Sequence, residues 1–281
     1  MDSVSGFLRH IEACHRVDLP GGRTRFRIGD APVGWLAPPV AAALADQGGV
    51  RWSDGAAVLE AAASLPGIAE ALARRGLFRW RGEAFDVRPD GAPDGASDGP
   101  ALGQIDRGAL PAFGIVAQGA HVNGLVRRAD GLHIWLARRA ADKALDPGKL
   151  DHVTAGGVPA GLSPFETVVK EAEEEAAIPA ALSRQAREVG CIVYAMDRPE
   201  GLRRDRIHCF DLDLPADFVP HAADGEVESF ALWPLARVFA AVRDTDDFKF
   251  NVNLVLIDLF LREGMFAPAE AALLRGRLGG S

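Results

Sequence analysis

The stretch Ala155–Pro179, AGGVPAGLSPFETVVKEAEEEAAIP, decides the reading of this chain. Ser163 stands where a helix N-cap is expected, Pro164 at the first helical position and Glu166 at the third, the S-x-x-E pattern of a capping box. Pro179 disfavours helical geometry at Ile178 and sets the end of the helix there. At 100° per residue, Phe165, Val168, Val169, Ala172 and Ala176 share one apolar stripe, which is the expected core face. Glu171, Glu174 and Glu175 converge beside it within an arc of roughly 100°, while Glu173 points to the solvent flank.

That convergence is unfavourable on its own. Carboxylates near a helix C-terminus oppose the macrodipole by roughly 0.3–1 kcal/mol each. Glu171 and Glu175 also form a like-charge i,i+4 pair that costs about 0.2–0.5 kcal/mol. A divalent cation reverses the sign, and Mg²⁺ takes a few carboxylates together with waters and substrate phosphates. The glycine loop before the helix, with Gly156 and Gly157, lets backbone groups approach a metal or an anion closely. A solvated acidic face paired with Lys170 is the alternative use of such a run.

The rest of the chain narrows the class. Its 281 residues are 48% hydrophobic and 25% charged, the profile of a globular protein with a large core. A net charge of -8 disfavours nucleic acid as a partner. The opening MDSVSGFLRHIEACHRVDLP has no apolar h-region, and VNLVLIDLFL is too short for a membrane span and carries Asp258. Cys14, Cys191 and Cys209 lack metal or redox spacing and read as reduced thiols, so a cytoplasmic location without a membrane partner is expected.

Residues 88–104, rich in Gly, Pro, Asp and Ala, read as an exposed linker. Before it, strand-like runs (RTRFRI, VGWLA, EAFDV) mix with alanine-rich helical ones at Ala57–Ala63 and Ile68–Arg75, which suggests a small α+β domain over residues 1–112. After it, GIVAQGAHVNGLVRR and LHIWLARR alternate as strands joined by a tight turn, and three more strands and three helices follow the acidic helix. The expected architecture for residues 113–281 is α/β, a mixed sheet with helices packed on it.

At these residues the chain resembles the Nudix hydrolases, whose box reads G-x5-E-x7-R-E-U-x-E-E-x-G-U. Gly156, Glu171, Glu174, Glu175 and Ile178 match it. Leu162, Lys170, Ala172 and Ala177 depart from it, and in the family the acid at the place of Leu162 pairs with the arginine at the place of Lys170 to order the loop. GAHVNGLV, PGKLDHVTAGGVPAG, DGEVESF and FKFNVNLVLIDLFLREG extend the likeness to a Nudix subfamily with an N-terminal domain, related to the Nudix modules associated with thiamine pyrophosphokinase.

The resemblance implies an α/β/α sandwich and metal-dependent hydrolysis of a small-molecule diphosphate, such as a nucleoside diphosphate derivative or a damaged thiamine diphosphate. It implies Mg²⁺, or Mn²⁺ in its place, on Glu171, Glu174 and Glu175. Glu171, Glu174 and the loop acid Glu228, beside Glu226, are the expected catalytic groups. Lys149 is a candidate diphosphate contact, or else a salt-bridge partner of Asp151. His121 and Asn123, two apart on one strand face, are candidates to line the substrate pocket, with Gly156, Gly157 and Lys249. Asn251 reads as an N-cap and Asp258 as a structural carboxylate. The N-terminal domain is expected to pack over the active site, with homodimerisation as its alternative role. A non-catalytic binding module is a further reading. An isopentenyl-diphosphate isomerase ranks below both, because no cysteine shortly precedes the box.

Overall fold

The computed structural model describes residues 4–90, 99–222 and 225–279. Helix α1 (Ser5–Cys14) is followed by β1 (Thr24–Ile28), β2 (Ala31–Leu36), α2 (Pro38–Ala45), β3 (Val50–Ser53), β4 (Ala56–Leu59) and α3 (Leu65–Arg74). The four strands form one sheet in the order β2-β1-β4-β3, with β1 and β4 parallel. Next come β5 (Ala84–Val87), β6 (Gly103–Asp106) and the short α4 (Leu110–Phe113). The expected helix at Ala57–Ala63 is instead strand β4 leading into a 3₁₀ turn. Alanine is the best helix former, but propensity is small beside tertiary packing, and here all four residues of β4 are buried between β1 and β3.

The stretch read as a linker joins β5 to β6, which pair antiparallel from Ala84↔Asp106 to Val87↔Gly103. Residues 91–98 of it lie outside the described residues, and Gly103 and Gln104 are already strand.

The remaining elements are β7 (Val116–Arg128), β8 (Gly131–Arg139), β9 (Leu150–His152), β10 (Thr154–Gly157), α5 (Pro164–Ala176), α6 (Ala180–Ser183), β11 (Arg187–Arg198), β12 (Gly201–Asp213), β13 (Val227–Pro234), α7 (Leu235–Asp244), α8 (Val252–Arg262) and α9 (Pro268–Leu278). The sheet order is β11-β12-β7-β8-β13, with β10 on β7 and β9 on β8. The β12–β7 pair is parallel and the others antiparallel, which makes the sheet mixed.

Alternation along β7 gives the sheet two apolar faces. Ala120, Val122 and Val126 join Val168, Ala172 and Ala176 of α5 in one core, whereas Leu125 joins Val255, Leu259 and Phe260 of α8 in the other. The result is an α/β/α sandwich. A third core lies under the four-stranded sheet and takes in β5, β6 and α4.

Helix α1 departs from the expected organisation. Although it opens the chain, its apolar face (Val4, Phe7, Ile11, Cys14) is buried in the α8 core. The Phe7 ring meets Phe239 at 4.8 Å, Phe266 at 5.0 Å and Phe260 at 6.3 Å between centroids. Arg9 binds Asp246 and the Thr245 carbonyl, and His10 Nε2 lies 2.8 Å from the Val242 carbonyl oxygen. The smaller sheet is therefore inserted between the first helix and the body that helix belongs to. Phe7→Ala should cost about 3–5 kcal/mol. The loss should appear in the same denaturation transition as the α8 core, followed by tryptophan fluorescence; a separate, earlier transition would contradict this placement.

Candidate active site

Helix α5 begins as its sequence dictates. The Ser163 hydroxyl accepts from the Glu166 N–H at 3.2 Å, and the Ser163 N–H donates to Glu166 Oε2 at 2.8 Å. Its end is less comfortable. Ala177 takes φ +52°, the left-handed geometry usually left to glycine, and its N–H reaches the Glu173 carbonyl at 3.2 Å. The buried residues of α5 are Thr167, Val168, Ala172, Glu175 and Ala176. Phe165 is instead partly exposed, its ring tilted against Phe210, and a carboxylate stands on the helix's buried face.

That carboxylate, Glu175, is the structural hinge of the site. Its Oε2 accepts from the Thr154 hydroxyl at 2.7 Å and from the Ala155 N–H at 3.1 Å, which ties α5 to β10. Burial pushes its pKa from 4.5 up to about 8, against the two hydrogen bonds that stabilise the anion. Glu171 is half-buried and is also raised, again by burial first, with Glu174 and Glu83 adding to the push. The backbone passes against it: a Cβ placed on Gly156 would lie 2.8 Å from Glu171 Cδ. Glu174 is more exposed. Lys170 Nζ donates to Glu171 Oε1 at 3.0 Å and to Glu174 Oε2 at 2.5 Å. Glu171 and Glu174 thus converge on one cation, and Glu175 sits one turn deeper.

The other expected site residues fall elsewhere. Gly156 and Gly157 lie in β10, paired with Ala120 and Gly119. His121 and Asn123 share a strand face as expected, but that face is interior. Asn123 Nδ2 donates to Asp211 Oδ1 at 2.8 Å, and His121 Nδ1 lies 3.0 Å from His152 Nδ1. Lys249 is buried and lies 3.3 Å from Asp151 Oδ2, which also accepts from Arg139 at 2.8 Å. Arg139 and Lys249, not Lys149, are the cations on Asp151, so the alternative salt-bridge reading of Lys149 is not what pairs that acid. Lys149 immediately precedes β9, and its carbonyl accepts from the Arg139 N–H at 3.0 Å. Glu228 is exposed at a bulge on β13, with β8 between that strand and β7. Asn251 precedes α8 without capping it and donates to the Tyr194 hydroxyl at 3.3 Å. Asp258 accepts from Arg262 at 2.8 Å, the structural role expected of it.

His121, Asp151 and His152 are the group of three buried metal-type side chains whose ligand atoms lie within 4.8 Å of one another. Burial lowers His121 far below its ordinary value and His152 to about 4, so both rings are neutral. Arg139 and Lys249 already neutralise Asp151, and a divalent ion here would sit beside two fixed cations. The cluster is therefore an internal ion-pair joint supporting β9, which immediately precedes β10.

Residues 117–252 match the NUDIX domain family. The matched span runs from β7 to the start of α8 and takes in the acidic helix α5. Two curated relatives from Arabidopsis thaliana are similar to 69% of the chain: "Nudix hydrolase 20, chloroplastic" at 40% identity and "Nudix hydrolase 24, chloroplastic" at 42%. The chain spans about half their length, 50% and 52% respectively. Among solved structures, DR0079 from Deinococcus radiodurans aligns over 62% of this chain and 97% of its own, with 18% identity and a TM-score of 0.47.

Two measurements follow. Ala177→Gly relieves the left-handed alanine and should raise stability by about 1 kcal/mol in denaturant titration. Glu175 binds a proton more tightly folded than unfolded, so its contribution is full below pH 4.5 and is lost as pH rises through about 8. In chelator, stability should therefore fall across that window for the native chain, and Glu175→Gln should flatten the fall.

Proposed function

We propose that the chain is a divalent-metal-dependent pyrophosphohydrolase acting on a small-molecule diphosphate. The observation that carries this reading is the meeting of Glu171 and Glu174 on a single ammonium, with the buried Glu175 one turn away and tied to the glycine strand. This donor set consists of carboxylates alone and fits Mg²⁺ or Mn²⁺. Glu171, Glu174 and Glu175 would hold the ion, which when bound neutralises diphosphate oxygens and lowers the pKa of a coordinated water.

The chain's own contributions are positional. Thr154 and the Ala155 N–H fix one oxygen of Glu175. Gly156 allows Glu171 to lie against the backbone. Lys170 bridges Glu171 and Glu174 and holds them side by side. Proton acceptance is assigned among Glu171, Glu174 and Glu228; among the described residues, no hydrogen bond or ion pair engages Glu228. For the group attached to the diphosphate we propose a thiamine-like ring, with damaged forms such as oxythiamine diphosphate as preferred targets, on the strength of the subfamily resemblance. Among the described residues Cys14, Cys191 and Cys209 form no disulfide, which suits a reducing compartment such as the cytoplasm.

One observation favours a second reading, a non-catalytic ligand-binding module: Lys170 already occupies Glu171 and Glu174. Phosphate release with Mg²⁺ or Mn²⁺ across nucleoside-sugar, dinucleotide and thiamine-type diphosphates separates the two. Turnover on at least one is expected, and Glu175→Gln should reduce it by roughly 10²-fold. Unchanged turnover in that variant would remove these carboxylates from the mechanism, and silence across the whole panel would favour the binding module.

A further inference from the structure

The loop from Val158 to Ser163 joins β10 to α5 and carries no strand pairing of its own. Its backbone reaches outward at three points. Val158 N–H donates to the Gln118 carbonyl at 2.9 Å, on β7. The other two contacts end on β5: Ala160 N–H donates to the Ala84 carbonyl at 2.8 Å, and Gly161 N–H to Asp86 Oδ2 at 3.3 Å. Between those two points lies Phe85, buried, with its ring against Gly157; a Cβ there would lie 2.5 Å from Phe85 Cζ. Arg107 covers the ring, its guanidinium carbon 5.7 Å from the centroid.

Strand β5 is itself rigidly held. Besides its pairing with β6, the turn before it is fixed by the buried Asp106 carboxylate. Asp106 Oδ1 accepts from the Arg81 N–H at 2.9 Å and the Gly108 N–H at 2.8 Å. Its Oδ2 accepts from Gly82 at 2.7 Å and Glu83 at 3.2 Å. The far side of the loop meets the acidic helix through Gly156 and Glu171. Nothing acidic within the loop can do this work: Leu162 is apolar and half-buried, and Lys170 is committed to Glu171 and Glu174.

We propose that Phe85 and Asp86 are positioning residues for the carboxylate site: β5 clamps the glycine loop from the inserted segment and thereby sets where Glu171 stands. The proposal rests on the metal-hydrolase reading for its effect on turnover, while its structural half is independent of that reading. It makes the β5–β6 pair a working part of the site.

The test compares Asp86→Ala, Asp86→Asn and Phe85→Ala with Arg51→Ala, an exposed control on β3, in the full-length chain. Amide exchange is read across residues 156–163, Mn²⁺ affinity by titration with the metal alone, and kcat and KM on whichever diphosphate turns over. Asp86→Ala should speed exchange in the loop, weaken Mn²⁺ roughly 10-fold and lower kcat more than it raises KM. Asp86→Asn keeps an acceptor for Gly161 and should restore most of both losses, and the control should match the native chain. If Phe85→Ala does not fold, the Asp86 pair decides alone. Native-like exchange and Mn²⁺ affinity in Asp86→Ala would overturn the proposal. Accelerated loop exchange in a protein that binds no Mn²⁺ would keep the clamp and defeat the metal-hydrolase reading instead.

Discussion

A single buried carboxylate sets the terms for this molecule. Glu175 lies on the apolar side of its helix, beside Ala172 and Ala176, where an anion costs several kcal/mol unless it is compensated. Two donors from β10 compensate it in part, and the contact fixes the helix against the sheet at one register. Because Glu175 cannot move without losing Thr154 and Ala155, the residues on either side of it inherit fixed places. Glu171 lands on Gly156 and Glu174 faces outward, with Lys170 between them. An acid that would be a defect in an ordinary core thereby anchors the turn of helix whose Glu171 and Glu174 hold the Lys170 ammonium.

The opposite face of the sheet also has charge inside it, but organised to a different end. There Asp151 is saturated by Arg139 and Lys249, and Asp211 by Arg262 and Asn123. In these joints each buried anion already has its counter-charge, and the neutral histidines His121 and His152 lie beside Asp151. The contrast separates Asp151 and Asp211, which are paired with opposite charge, from Glu175, whose partners Thr154 and Ala155 are neutral donors. A buried charge points to function when its compensation is incomplete.

Much of this was legible in the residues. The capping box, the alternating strands and the spacing of Glu171, Glu174 and Glu175 are local properties, and local chemistry determines them. Three features were not. Ala57–Ala63 reads as helix because alanine is a good helix former, yet β4 is buried between the adjacent β3 and β1, which is distant in sequence. His121, Asn123 and Lys249 look like pocket residues because their types suit one. Only the partners Asp151, Asp211 and His152, brought in by sheet register, show that they are spoken for. The contact of Phe85 and Asp86 with the glycine loop joins residues more than seventy positions apart, and the only trace of it in the chain is the absence of an acid at Leu162.

The burial of α1 has a mechanical consequence. Because the chain enters the main body, leaves it to build the small sheet, and then returns, that sheet is moored at two ends and held again at β5. A lobe hung from one tether can swing freely; one moored on both sides can at most rock about the line through its moorings. Any rocking of the inserted segment is therefore confined to one narrow direction.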